Sequence, residues 1–245
     1  MRLLLSILLA LVLFGTCSQA ADVTVVTEQW PPFNYSNDKG ELTGLSTDIL
    51  RLALSQSGLE PDFQILPWAR AYDMAQNDSG VFIFSILRSP AREPHFQWVG
   101  PLIPSLSVNL YKLKRRTNIN ISSLEEAKQY TIAVMKNGST QLFLQGQGFL
   151  AGENLEVAAS NDLGIKKLFW ERVDLISGNA PAMAQLARAN GFNFSELEEV
   201  LPLYDCGLYA ATSLQTPQSL INRMQTGLDS IPPEHIETLI QSYLQ

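Results

Sequence analysis

Residues 23–54 read VTVVTEQWPPFNYSNDKGELTGLSTDILRLAL, and they set the fold class. Val23–Glu28 is β-branched and predicts a strand. A polar turn around Asn37-Asp38-Lys39-Gly40 predicts a hairpin, and Ser46 can cap a helix whose Ile49, Leu52 and Ala53 share one face. Downstream, Phe63–Leu66 predicts a second strand, Trp68–Gln76 a second helix and Val81–Ile86 a third strand that is apolar throughout. Apolar runs without alternation suit a parallel sheet covered on both faces. Strand, helix, strand, helix, strand is the pattern of an α/β protein.

Beyond these units Leu106–Leu113 predicts another strand, and then the character changes. Lys112–Asn120 (KLKRRTNIN) is basic and polar and is read as the edge of a second lobe, with no core residue after Leu113. Ser123 with Glu126 forms a capping-box pattern. Strands are predicted at Thr131–Met135, Leu155–Ala158 and Asp174–Ser177. Helices are predicted after Gly138-Ser139-Thr140, after a cap at Asn161 and over Ala180–Ala189. A last strand near Gly207–Ala211 precedes two amphipathic helices that Pro232-Pro233 divides. The expected domains are 1–20 as a signal peptide, 22–110 plus 206–245 as lobe 1, and 111–205 as lobe 2. The crossovers near Tyr111–Lys114 and Leu203–Cys206 would act as a hinge.

The N-terminus carries an address rather than a fold element. Arg2 precedes the apolar run Leu3–Phe14, and small residues lead to Ala20, which predicts a secretory signal cleaved after Ala20. The run is too short to span a bilayer, which takes about 20 residues. Cys17 follows Thr16, larger than a lipoprotein signal usually accepts, and the expected mature chain keeps one cysteine, Cys206. Of the 245 residues 46% are hydrophobic and 17% charged, which is globular composition, and the net charge of −7 disfavours nucleic acid and anionic membranes as partners. N-x-S sequons occur at Asn34, Asn77, Asn120, Asn137 and Asn193, and two of them would put glycans in the cleft segments of a eukaryotic protein, so a bacterial periplasm is the simpler expectation.

Several residues carry candidate chemistry. Two prolines after Trp30 stiffen the chain so that Trp30 and Phe33 project from a strand end, where ligands of open α/β sheets bind; capping the core is the alternative for Phe33. Arg92 presents a planar fork suited to a carboxylate, with a surface pair to Glu93 as its alternative. Gly138-Ser139-Thr140 at a helix start offers free N–H groups and a positive dipole end, whether or not it also serves as a plain cap. Trp68 and Arg70 add an indole and a guanidinium near the mouth; Arg70 and Arg88 can equally be solvated. His95, His235 and the carboxylate pairs Glu125-Glu126 and Glu198-Glu199 read as surface groups, and Cys206 as a buried thiol. No Walker loop, dinucleotide fingerprint, H-E-x-x-H or G-x-S-x-G is present, so no cofactor, metal or catalytic residue is predicted.

These segments, in this order, resemble the family 3 periplasmic solute-binding proteins, the amino-acid-binding class. The likeness rests on Thr27–Leu54, on VFIFSILRSPAREPHFQWVGPL at Val81–Leu102, and on SLEEAKQYTIAVMKNGSTQ at Ser123–Gln141. It implies a two-lobed α/β fold of the type II periplasmic kind with the ligand cleft between lobes. It also implies ligand contacts at Ser85 and Arg92 and at Ser139 and Thr140. One departure stands out: in Val173-Asp174-Leu175-Ile176-Ser177-Gly178-Asn179, Asn179 holds the place where amino-acid binders of the family carry an aspartate for the ligand ammonium. Leu87 likewise stands where a Ser or Thr is usual. The implied function is capture of a small anionic or amino-acid-like solute by lobe closure, delivered as a monomer to an ABC permease or a membrane sensor. The alternative is a periplasmic dehydratase acting on a prephenate-like acid. It would need an acid in the cleft, and none of the mapped positions is acidic.

Overall fold

The computed structural model describes residues 22–244; the expected signal segment lies outside the described residues. In chain order, β1 (Val23–Thr27) leads through the hairpin β2 (Tyr35–Ser36) and β3 (Leu42–Thr43) to α1 (Leu45–Ser57). Then come β4 (Pro61–Ile65), α2 (Trp68–Asn77), β5 (Val81–Leu87) and the long β6 (Gln97–Leu113). The middle of the chain forms α3 (Leu124–Ala127), β7 (Ile132–Met135), α4 (Ser139–Gly146), β8 (Leu155–Ala158), α5 (Asn161–Phe169), β9 (Leu175–Gly178) and α6 (Ala180–Ala189). A second long strand, β10 (Leu197–Thr212), returns to α7 (Gln218–Asp229) and α8 (Pro233–Leu244).

Eight strands share hydrogen bonds in the order β4-β1-β5-β10-β6-β9-β7-β8. β1 runs parallel to β4 and β5, as the apolar run of β5 predicts, and β7 runs parallel to β8 and β9. Every residue of β5 is buried, with Phe82 and Phe84 packed into one cluster and Ile83 and Ile86 into another on the opposite face. The long strands are the structural surprise. β6 and β10 pair antiparallel from Leu113↔Leu197 to Gln97↔Thr212, with register shifts between Glu199/Leu201, Pro202/Tyr204, Cys206/Leu208 and Leu208/Ala210. Sequence patterning predicts only the ends of these strands, because the prolines within them, Pro101, Pro104 and Pro202, read as breaks. The ribbon passes from one core to another: Ile103, Leu106 and Leu208 belong to the first, whereas Leu110, Leu201 and Leu203 pack in the second.

Three local expectations are corrected. Helix α1 is not capped by Ser46. Its N-cap is Gly44, and Ser46 N and Thr47 N donate to Phe33 O at 2.9 and 3.3 Å. Gly44 has φ 120, and an added Cβ would stand 2.5 Å from Phe33 O, so the close approach demands glycine. Helix α5 is capped by Ser160, whose Oγ accepts from Leu163 N, rather than by Asn161. The basic stretch does hold a core residue: Ile119 is fully buried, and its carbonyl accepts from the buried Lys112 Nζ at 2.8 Å. A lysine stem lies along apolar surface while its head finds oxygen, which a count of charges does not show. The capping pattern at α3 holds, with Glu126 N donating to Ser123 Oγ at 3.3 Å, though the Glu126 carboxylate turns to Ser122 N.

Helices α1 and α7 cross closely enough that a Cβ at Gly227 would lie 2.1 Å from Ala53 O. Alanine gains about 1 kcal/mol of helix propensity over glycine. Overpacking against backbone costs about 1–3 kcal/mol and cannot relax by a rotamer change. The 2.1 Å approach to a backbone oxygen puts the cost at the upper end of that range, so Gly227→Ala is expected to lower unfolding stability by about 2 kcal/mol in urea titrations; an unchanged or raised midpoint would contradict this packing.

Candidate ligand cleft

The residues expected at the cleft are sorted by local geometry. A cavity of ≈ 660 Å³ is lined by Trp30, Trp68, Ser85 and Arg92 on one wall and by Ser139, Thr140 and Asn179 on the other. Phe33 and Arg70 are absent from it. Residues 30–34 form a turn, with Phe33 N donating to Trp30 O at 2.9 Å, and this swings the Phe33 ring into the first core, where it is fully buried beside Trp30 at 4.7 Å. Arg70 stands two positions after Trp68 on α2, and such a pair points to different sides of a helix; Trp68 is buried and Arg70 exposed. Arg88 is also outside the cavity lining: its Nε donates to Glu93 at 2.7 Å, and its guanidinium lies 5.4 Å from the Trp98 ring.

Arg92 is held within the wall. It is 1% exposed, its Nη1 donates to Leu87 O at 3.0 Å, and its Nη2 donates to Asn137 O at 3.2 Å. The rings of Trp68 and Tyr72 lie 5.2 and 5.5 Å from its guanidinium carbon. Burial lowers its pKa, while Tyr72, Tyr204 and Glu28 oppose that fall. Its Nε and the Ser85 Oγ are buried polar atoms without a protein partner. Ser85 takes φ 57, a strained value for a residue other than glycine. The opposite wall is the start of α4. Gly138 supplies no side-chain cap there, so the first-turn N–H groups remain for the cleft. The Ser139 and Thr140 hydroxyls each lie 3.1 Å from Tyr204 OH, on the ribbon strand β10.

Asn179 lies in the cavity, but its amide is half spent. As the N-cap of α6 its Oδ1 accepts from Ala182 N at 3.0 Å. A backbone N–H must meet an oxygen, so this bond fixes the amide and leaves Nδ2, a donor, as the group available to a ligand. Where the family's aspartate would present an acceptor, Asn179 thus presents a donor. The residue that sequence reasoning missed is Glu28, at the end of β1. It keeps part of its surface in the cavity, yet burial pushes its carboxyl up to about 8, with Arg92 pulling the other way. The cleft does contain an acid, and the earlier ground for discounting an enzyme falls away. The signal was position alone: a carboxylate directly after a β-branched strand, at its carboxyl end.

A raised carboxyl pKa makes the folded state hold its proton between the ordinary value near 4.5 and about 8, where the unfolded chain has released it. Glu28 therefore supports folding at low pH, and that support is lost as pH rises through this window. The stability difference between wild type and Glu28→Gln is expected to move against wild type by on the order of 4 kcal/mol from pH 5 to pH 9. Denaturant titrations at five pH values measure it, and a flat difference would refute the buried-acid assignment.

Among the described residues, no helix is long and apolar enough to cross a membrane, and no group of three His, Cys, Asp or Glu could hold a metal ion. Compared with known proteins, the chain is 27% identical over 228 residues to the arginine-binding periplasmic protein of Mannheimia haemolytica, covering 89% of this chain and 90% of that one. Its fold is similar to that of a histidine kinase sensor domain with similarity to periplasmic binding proteins, at TM-score 0.81 and 15% identity over 91% of this chain and 96% of the other. An ancestral arginine-binding protein bound to arginine matches at TM-score 0.78 and 15% identity over 92% of this chain and 99% of the other. Residues 23–244 match the family model for bacterial extracellular solute-binding proteins, family 3, so the fold is the two-lobed periplasmic binding type and the chain belongs to that family.

Proposed function

We propose that this protein captures a small carboxylic acid non-covalently in the cleft, the lobes closing over it. Residues 22–110 with 206–245 would move as one lobe and 111–205 as the other, with the β6–β10 ribbon as the hinge. After signal cleavage behind Ala20 it would act in the periplasm as a monomer, delivering solute to an ABC permease or reporting it to a membrane sensor.

The observation that carries this reading is the pair of unpartnered buried atoms, Arg92 Nε and Ser85 Oγ, on the cavity wall that faces an uncapped helix start. Each buried donor without an acceptor costs about 1–3 kcal/mol, which a bound carboxylate would recover. Arg92 would hold that carboxylate from the first lobe, and the first-turn N–H groups of α4 would hold it from the second. The loss of either contact on opening is what would couple binding to closure. Trp30 and Trp68 would cover the apolar part of the solute.

Selectivity would follow from Asn179 and Glu28. The Asn179 Nδ2 meets an ammonium donor to donor, so a solute without an ammonium next to its carboxylate is favoured, and common L-amino acids should bind weakly. A cation placed elsewhere on the solute would find Glu28 and displace its proton. The arginine-binding relative makes three compounds decisive in calorimetry: L-arginine, its deaminated analogue 5-guanidinopentanoate, and its decarboxylated analogue agmatine. The deaminated acid should bind at least as tightly as arginine, and agmatine at least about 30-fold more weakly than the acid, the lower end of what a desolvated charge pair contributes. Arginine more than tenfold tighter than its deaminated analogue would overturn the role given to Asn179. Agmatine within threefold of the acids would overturn the carboxylate site. Arg92→Lys should weaken binding of the acid by tens of fold, because an ammonium cannot reproduce the fork.

One observation favours a second reading. A carboxyl titrating near 8 is protonated at neutral pH, as a general acid must be, and Glu28 shares its cavity with an arginine. One structural neighbour is an ancestral amino-acid-binding protein described as a precursor of cyclohexadienyl dehydratase, at TM-score 0.74 and 16% identity. Incubation with prephenate, followed by detection of phenylpyruvate, separates the readings: turnover abolished by Glu28→Gln would replace capture by catalysis.

A further inference from the structure

The two lobes already touch where no solute is involved. The turn after β7 places Asn137 at φ 59, a left-handed value that asparagine tolerates. Gly138 N closes this turn on Met135 O at 2.9 Å, and Asn137 N donates to Gln141 Oε1 at 2.7 Å. The turn is held by its own bonds, and the Asn137 carbonyl is left for partners outside it. Those partners come from the other lobe: Trp68 Nε1 donates to Asn137 O at 3.1 Å and Arg92 Nη2 at 3.2 Å. A carbonyl oxygen has two lone pairs, so both donors are accommodated at once. Beside them, Met135 packs on the first-lobe cluster formed by Trp68, Ala71 and Phe96.

We infer that Trp68 is a closure residue: its indole N–H, alongside Arg92, latches the first lobe onto the Asn137 carbonyl of the second. The latch spends one N–H of Arg92 and leaves Nε for a ligand, so latch and carboxylate site operate together. The indole N–H is spent on the Asn137 carbonyl and makes no bond to solute, so even where the Trp68 ring covers the solute this bond bears on the affinity for every solute and chooses among none. A solute that meets a population already closed loses less of its intrinsic affinity to the closing step. This role holds whatever the solute is, and it stands or falls separately from the carboxylate site.

The test uses ligand-free protein, stripped of co-purifying solute by denaturation and refolding. In ¹⁵N-labelled wild type the Trp68 indole resonance is identified by its loss in Trp68→Phe. Its exchange with water is expected to be at least about tenfold slower than that of Trp170, whose side chain is open to solvent. Small-angle scattering should give a larger radius of gyration for ligand-free Trp68→Phe than for wild type, since phenylalanine keeps an aromatic ring at the position but has no N–H to donate. An indole exchanging as fast as that of Trp170 would overturn the latch without recourse to any variant. A protected indole with unchanged dimensions in Trp68→Phe would overturn it too, because the bond would then not be what holds the lobes.

Discussion

The structure depends on one shared ribbon. β6 and β10 are 17 and 16 residues long, and they are the strands through which the two cores communicate. Antiparallel pairing lets both crossovers lie side by side, so a bend in one strand must be matched in the other. The four register shifts along β10 break the ladder along the stretch that joins the cores, and bulges are where a paired strand bends.

The cleft sits on this seam, and its chemistry follows from desolvation. Arg92 is buried against two aromatic rings and two backbone carbonyls, an environment that stabilises a cation only while its donors stay occupied. Glu28 lies close enough to feel that charge, yet burial dominates and keeps its proton on at neutral pH. The two groups are therefore unlike a surface ion pair such as Arg88 with Glu93, where water screens both partners. Buried, incompletely paired groups in a cavity are the usual mark of a binding or catalytic site.

Tyr204 links the ribbon to the site. Its hydroxyl lies against Ser139 and Thr140, and its ring lies tilted against Phe143 with centroids 4.8 Å apart, so the start of α4 is tied to β10 itself. Those two hydroxyls, which the family resemblance offered as ligand groups, are engaged within the protein. The backbone N–H groups of the same turn remain the stronger candidates for an anion.

The sequence by itself determined the architecture. The apolar runs of β1 and β5, the glycines and prolines between elements, and the chain-ordered segments around Arg92 and Gly138-Ser139-Thr140 were enough for the two-lobed α/β fold and most of the cleft wall. These are local signals, carried by residues within a few positions of one another. Only the tertiary structure decided the rest. Phe33 leaves the cleft because a turn closes behind Trp30; Asn179 becomes a donor because a backbone N–H claims its oxygen; Glu28 becomes a buried acid because elements distant in sequence exclude water from it; Trp68 meets Asn137 across 69 positions of chain. Hydrogen-bond direction and dielectric belong to a three-dimensional surrounding, and no spacing within one stretch of sequence contains them.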